Sequence, residues 1–232
     1  MKTFLFELCG ESMDAALKGE SGGADRIELC SNLRIGGLTP DLSLVKTVVE
    51  ALSIPVYVLI RPRPGEFVPT HEEFALMKMQ IEQAKQAGAD GVVLGVLLPD
   101  GRVDMERTCE LIETARPMAV TFHRAFDKTP DLSEALETVI QTGAECLLTS
   151  GGAPHVLAGA ESIAQLHRQA AGRIQIMAGG GLRLSDVDEV LQQTGVSFLH
   201  GSLLRKVPGQ PNPEVEEADI CETVRRIRSL VV

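Results

Sequence analysis

The sequence has no tryptophan and a single tyrosine, Tyr57, so it has little with which to stack unpaired bases, and nucleic acid is not an expected partner. It also lacks an excess of positive charge. Its 22 Lys and Arg stand against 32 Asp and Glu, a net charge of −10 that disfavours a polyanion but leaves room for a local basic patch. No apolar run approaches the roughly 20 residues needed to cross a bilayer. No basic stretch leads into a long apolar segment at the start, so neither a membrane role nor a leader is expected. The five cysteines (Cys9, Cys30, Cys109, Cys146 and Cys221) are scattered and odd in number, which excludes a disulfide framework and points to a reducing compartment, the cytoplasm.

What is present is a repeat of short apolar or alternating runs at 3–9, 25–30, 55–60, 90–95, 117–123, 145–150, 173–177 and 197–201, with starts about 21 to 35 residues apart. That spacing fits one strand, one helix and two loops. Helical segments lie between the runs. Thr70-His-Glu-Glu73 reads as a capping box before Phe74, Met77 and Ile81, with Gly88 as the stop. Thr39-Pro40, Asp131 and Ser185-Asp186 read as further helix starts. Eight β-then-α units predict an α/β fold, a single-domain (βα)8 TIM barrel over 1–232, because parallel strands joined by right-handed crossovers leave no edge when eight of them close. An open doubly wound sheet is the competing arrangement. The only loop-like tract late in the chain is 207–213, so 203–232 reads as a C-terminal loop and helix extension, its helix near 214–230.

Period-2 alternation assigns strand faces. Phe4, Phe6 and Leu8 share one face of the first strand, leaving Glu7 and Cys9 to point into the barrel. In the second, Glu28 and Cys30 point inward, so the tripeptide Glu-Leu-Cys recurs 21 residues on at equivalent ends of neighbouring strands. Arg61 after the third strand, and Thr121 with His123 in the fifth, also aim inward. The eighth ends at His200-Gly-Ser202, whose direction the pattern leaves open. Glu7, Glu28, Arg61 and His123 therefore converge on one rim, with Arg63, Arg124 and Asp127 following in its loops. Charges there cost free energy unless they are paired, so the rim is either an ion-pair plug or a ligand site; aliphatic residues would close a barrel more simply, which favours a ligand.

Two glycine tracts, Thr149-Ser150-Gly151-Gly152 after the sixth strand and Gly179-Gly180-Gly181 after the seventh, would let backbone N–H groups approach an anion. Each is equally what a tight βα turn needs. Beside Arg61, Arg63 and Arg124 they suggest a small anionic ligand.

Cys109, Cys146 and Cys221 read as small buried hydrophobes. Cys9 and Cys30 differ, because adjacent parallel strands could bring their sulfurs within shared reach of one ion. Two thiolates suit Cu(I) better than Zn²⁺, which wants four ligands. A reactive thiol is disfavoured because Glu7 and Glu28 would raise its pKa.

The strings Gly22-Gly-Ala-Asp-Arg-Ile-Glu-Leu-Cys30, Gly36-Gly-Leu-Thr-Pro40, Ile60-Arg-Pro-Arg63, Val120-Thr-Phe-His-Arg-Ala-Phe-Asp127 and Leu148-Thr-Ser-Gly-Gly152 resemble the CutC family of copper-homeostasis proteins. The likeness runs from about Phe4 to Ser202 and departs from the family pattern after it. It implies a cytoplasmic barrel, a homo-oligomer (dimer or tetramer), with copper ligation at the cysteines ending the first two strands, here Cys9 and Cys30. Three functions stay open. One is Cu(I) binding through those cysteines. The second is an enzyme acting on a small phosphorylated or carboxylated metabolite, with Glu7, Glu28 or His123 for acid–base work and Arg61, Arg63, Arg124, Asp127, Ser150, Gly151, Gly152, Gly179, Gly180 and His200 for binding. The third is a non-catalytic scaffold. The resemblance favours copper.

Overall fold

The computed structural model describes residues 4–206 and 213–229. Eight parallel strands close into a barrel in chain order, each followed by a helix: β1 (Leu5–Gly10), α1 (Met13–Ser21), β2 (Arg26–Leu29), α2 (Leu42–Ala51), β3 (Val56–Leu59), α3 (His71–Gln86), β4 (Gly91–Leu94), α4 (Met105–Ala115), β5 (Ala119–Phe122), α5 (Leu132–Thr142), β6 (Cys146–Thr149), α6 (Ala160–Ala170), β7 (Gln175–Gly179), α7 (Val187–Thr194), β8 (Phe198–Gly201) and α8 (Glu217–Ser229). This is the (βα)8 TIM barrel expected from the repeat. The expected strand bounds are met to within a few residues; Thr3 and most of the 207–213 tract lie outside the described residues.

Alternation sorts the core into two compartments. Phe6, Leu8, Ile27, Leu29, Val56, Val58, Val120 and Phe122 face the helices and join the main apolar core. Inside the barrel, Cys9, Cys30, Tyr57, Leu59 and Val93 form one cluster, and Cys146, Leu148 and Met177 another. Helix α8 buries Ile220, Thr223, Val224 and Ile227 and packs between α7 and α1, taking the eighth place in the helix ring. Cys221, expected to be buried, is instead exposed, because it falls to one side of that apolar stripe on α8, and Cys109 is half-buried.

The start of α3 forms as expected. Thr70 Oγ1 accepts from Glu73 N at 3.2 Å, and Glu73 Oε2 accepts from Thr70 N at 2.8 Å. Asp131 likewise caps α5, accepting from Ser133 N and Glu134 N. Two expected starts differ. Helix α2 begins at Leu42, not at Thr39-Pro40, because Thr39 Oγ1 is engaged elsewhere, accepting from Arg61 N at 2.8 Å and donating to Gln80 at 3.0 Å. Ser185 bonds Asp186 Oδ1 and caps nothing, and α7 follows a short 3-10 turn over Leu184–Asp186.

Candidate functional site

The strands do not stack level. Cys9 of β1 lies opposite Glu28 of β2, and Glu7 opposite Arg26, so the second Glu-Leu-Cys sits two residues nearer the mouth than the first. That stagger is the shear every closed barrel carries. It separates the two glutamates that sequence symmetry placed together. Glu28 reaches the floor of a cavity of about 210 Å³ at the C-terminal strand ends, shared with Cys9, Arg61, His123, Arg124 and His200, while Glu7 lies beneath it, fully buried.

Glu7 accepts from Arg26 Nε at 2.5 Å and lies 2.7 Å from His200 Nδ1. Burial works to raise its pKa, but the Arg26 charge and His200 outweigh it and hold the carboxyl below its ordinary value. Arg26 in turn rests its guanidinium 4.0 Å from the centre of the Tyr57 ring. Its parity, shared with Glu28 and Cys30, is the one sequence signal that marks Arg26 as inward-facing. Glu28 goes the other way: burial raises its carboxyl, and the Glu7 charge adds to that. Burial pulls His200 down, but Glu28 and Glu7 prevail and raise it. His200 thus points into the barrel, which the alternation of β8 left open.

The thiols of Cys9 and Cys30 stand 3.5 Å apart. Cys9 Sγ also lies 3.4 Å from Glu28 Oε1, and Cys30 Sγ 3.5 Å from Gly10 O. The Cys9 thiol is raised well above its ordinary pKa, first by its bond to Cys30, then by burial and the neighbouring carboxylates. Cys9 opens onto the cavity and Cys30 is fully buried beside it. One ligand atom each from Cys9, Glu28 and His200 lies within 4.8 Å of the others, so a metal on Cys9 would meet an oxygen and a nitrogen donor as well.

On the opposite wall, His123 follows β5 and accepts from Ala125 N through Nδ1 at 3.2 Å. Its ring can lie there because residue 95 is glycine: a Cβ at Gly95 would come within 2.5 Å of Nδ1. Burial, with the Arg61 charge, lowers its pKa to about 3, so the ring is neutral. The Arg61 guanidinium is held by the carbonyls of Ile35, Gly37 and Gly65. Phe67, in the loop after β3, has its ring centre 4.9 Å from that of His123 and 4.8 Å from the Arg61 guanidinium carbon. Nothing in the sequence pattern singled out Phe67, since loops carry no period.

The remaining expected residues are spread more widely. Arg63 turns away from the mouth to Glu73 at 2.5 Å and to the carbonyls of Pro64, Glu66 and Val68. Asp127 points into the first glycine tract. Its carboxylate accepts from Ser150 N and Gly152 N, each at 3.1 Å, from Thr149 Oγ1 at 2.5 Å and from Arg124 Nε at 2.9 Å. The amides of Ser150 and Gly152 are thus already serving an anion, the protein's own, and Gly151 N bonds Thr149 Oγ1. Gly179 packs against Leu148 and His200, where a Cβ would not fit, and Gly180 lines the cavity. Arg124 lies across Gly180, whose φ of 115° and lack of a Cβ allow the guanidinium to approach.

Comparison with known proteins bears on this arrangement directly. The CutC family model matches residues 4–205. The human copper homeostasis protein cutC homolog is 45% identical over 199 residues, covering 86% of this chain and 73% of its own length. A family protein CutC of Xanthomonas campestris is 43% identical over 231 residues, covering 97% of this chain and 96% of that one. The crystal structure of a CutC protein from Streptococcus agalactiae matches with a TM-score of 0.81 at 30% identity, covering 86% of this chain and 99% of that one. A phosphoribosylanthranilate isomerase from Pyrococcus furiosus matches with a TM-score of 0.63 at 16% identity, a likeness of fold alone. Given a family match spanning both Glu-Leu-Cys strands and every strand of the barrel, the chain belongs to the CutC family.

Proposed function

We propose that this CutC family member serves copper homeostasis in the cytoplasm by binding Cu(I) through Cys9 and Cys30. The observation that carries the reading is the 3.5 Å between the two sulfurs. Two sulfurs bonded to one ion stand roughly 4.5 Å apart, twice a metal–sulfur bond of about 2.3 Å, so the pair needs to part by only about 1 Å. Soft thiolates select Cu(I) over harder ions. Cys9 gives the ion a way in from the cavity, and Cys30, fully buried beside it, supplies the second sulfur. Binding must displace thiol protons, because the bond to Cys30, burial and the neighbouring carboxylates hold the Cys9 proton on. The relatives named for copper homeostasis support the same reading. Five free thiols are compatible with a reducing compartment. Among the described residues no helix is long and apolar enough to cross a membrane.

The test is competition with a Cu(I)-selective chelator under anaerobic conditions. The wild type should take one Cu(I) per chain. Cys9→Ser or Cys30→Ser alone should abolish uptake, while Cys146→Ser, sealed inside the barrel, and Cys221→Ser, on the outer face of α8, should leave it intact. Substoichiometric uptake shared among all five thiols, with each serine variant losing a little, would sink the proposal.

A further inference from the structure

A two-sulfur copper site makes no use of three buried polar atoms at the mouth that have no hydrogen-bond partner among the described residues: His123 Nε2 and Arg61 Nε on one wall, and Glu28 Oε2 on the floor. All three belong to residues lining the same cavity. The tautomer of His123 follows from its surroundings. Nδ1 accepts the Ala125 N–H, so on a neutral ring the proton sits on Nε2, which is a donor. Three of the four terminal N–H groups of Arg61 go to backbone carbonyls, and its Nε–H has no acceptor among the described residues. Phe67 lies against both groups, giving the two N–H donors an apolar neighbour. Leaving a buried donor unmatched costs free energy. Two such donors on one wall of a cavity indicate an acceptor that comes from outside.

We propose that the mouth binds a small hydroxycarboxylate, its carboxylate oxygens accepting from His123 Nε2–H and Arg61 Nε–H and its hydroxyl meeting Glu28 Oε2. Two donors from two side chains match the two oxygens of a carboxylate. The amides after β6 that could have extended the set to suit a phosphate are occupied by Asp127. A hydroxyl both donates and accepts, so it satisfies Glu28 Oε2 whatever the charge of that carboxyl. At about 210 Å³ the cavity is smaller than the space a drug-sized ligand fills, which limits the occupant to a few carbons.

The experiment uses the full chain and three probes, D-glycerate, acetate and inorganic phosphate, with affinity read by calorimetry and thermal shift. D-glycerate should bind the wild type at least tenfold more tightly than acetate, which lacks the hydroxyl, and more tightly than phosphate. His123→Asn keeps a side-chain acceptor for the Ala125 N–H but loses the inward donor, and should weaken glycerate at least tenfold while the ligand-free melting temperature holds. Glu28→Ala should bring glycerate down to the affinity of acetate and leave acetate unchanged. In the wild type, the His123 ring N–H resonance should shift on adding glycerate, a readout independent of any variant. Cys30→Ser, which removes a copper sulfur that does not line the cavity, should bind glycerate as the wild type does, so the two proposals stand or fall separately. No glycerate binding, phosphate binding as tight as glycerate, an unmoved ring resonance, or equal affinity in His123→Asn would each overturn the assignment.

Discussion

His123 and His200 line one cavity, yet their surroundings push them in opposite directions. His123 is buried beside Arg61 with its acceptor nitrogen already used, so protonation would put a second cation there, and its pKa falls to about 3. His200 stands on two carboxylates, and its pKa rises. Stability follows with opposite signs. A group depressed in the folded state contributes stability above its unfolded pKa and loses it as pH falls. For His123 that loss begins near pH 6.5 and amounts to about 3 kcal/mol by pH 4. The raised His200 contributes below its unfolded pKa, and that contribution is lost as pH rises through its folded value. Urea unfolding from pH 7.5 to pH 4 should therefore show the wild type losing about 3 kcal/mol more than His123→Asn. Parallel stability curves for the two proteins would mean that His123 is not held neutral by its burial. At this scale the sequence was informative wherever parity applied: His123, Glu28, Cys9 and Cys30 all face inward as alternation requires. It was uninformative for Phe67, whose position depends on a loop path.

Among the elements, the strands and helices were legible because apolar period and capping chemistry are local. Thr70 and Glu73 needed only each other to start α3. Thr39 carried the same local signal, but a tertiary partner, the Arg61 amide, outcompeted it. The loop after β6 shows the same limit. Its glycines have the composition of an anion nest, and the structure does hold an anion there, but it is Asp127, 22 residues away from Thr149. Sequence composition marks the cradle without naming what fills it. Removing the internal carboxylate should expose the cradle. In Asp127→Gly, inorganic phosphate should raise the melting temperature in a concentration-dependent way, with little such effect on the wild type. Without phosphate the variant should be less stable by about 2–4 kcal/mol, as charge-assisted hydrogen bonds are lost. If phosphate leaves both proteins unchanged, the loop is a turn that needs Asp127 for its shape and has no latent affinity for anions.

On the scale of the whole molecule, a barrel must join its first strand to its last, and here the seam carries charge. Glu7 of β1 lies opposite Arg26 of β2 on one side and His200 of β8 on the other, and bonds both. The sequence could not show this, since register is set by barrel shear and by chain ends about 190 residues apart, and an inward glutamate looks the same on the floor of a site or beneath it. Its burial below the cavity makes Glu7 a poor candidate for contact with a ligand and a good one for fixing strand register. A buried pair of this kind adds little net stability over apolar residues, but breaking it leaves a charge uncompensated. Glu7→Gln should therefore cost about 3–5 kcal/mol in urea unfolding. Arg26→Met should cost a similar amount by stranding Glu7 between β1 and β2. The double variant Glu7→Met/Arg26→Met should be less destabilised than the sum of the singles by at least about 2 kcal/mol, because neither charge is then left alone in the barrel. Additive losses would show that the two side chains do not act as a pair. A double variant that unfolds outright would mean that the ion pair, and not the apolar core around it, holds β1 and β8 in register.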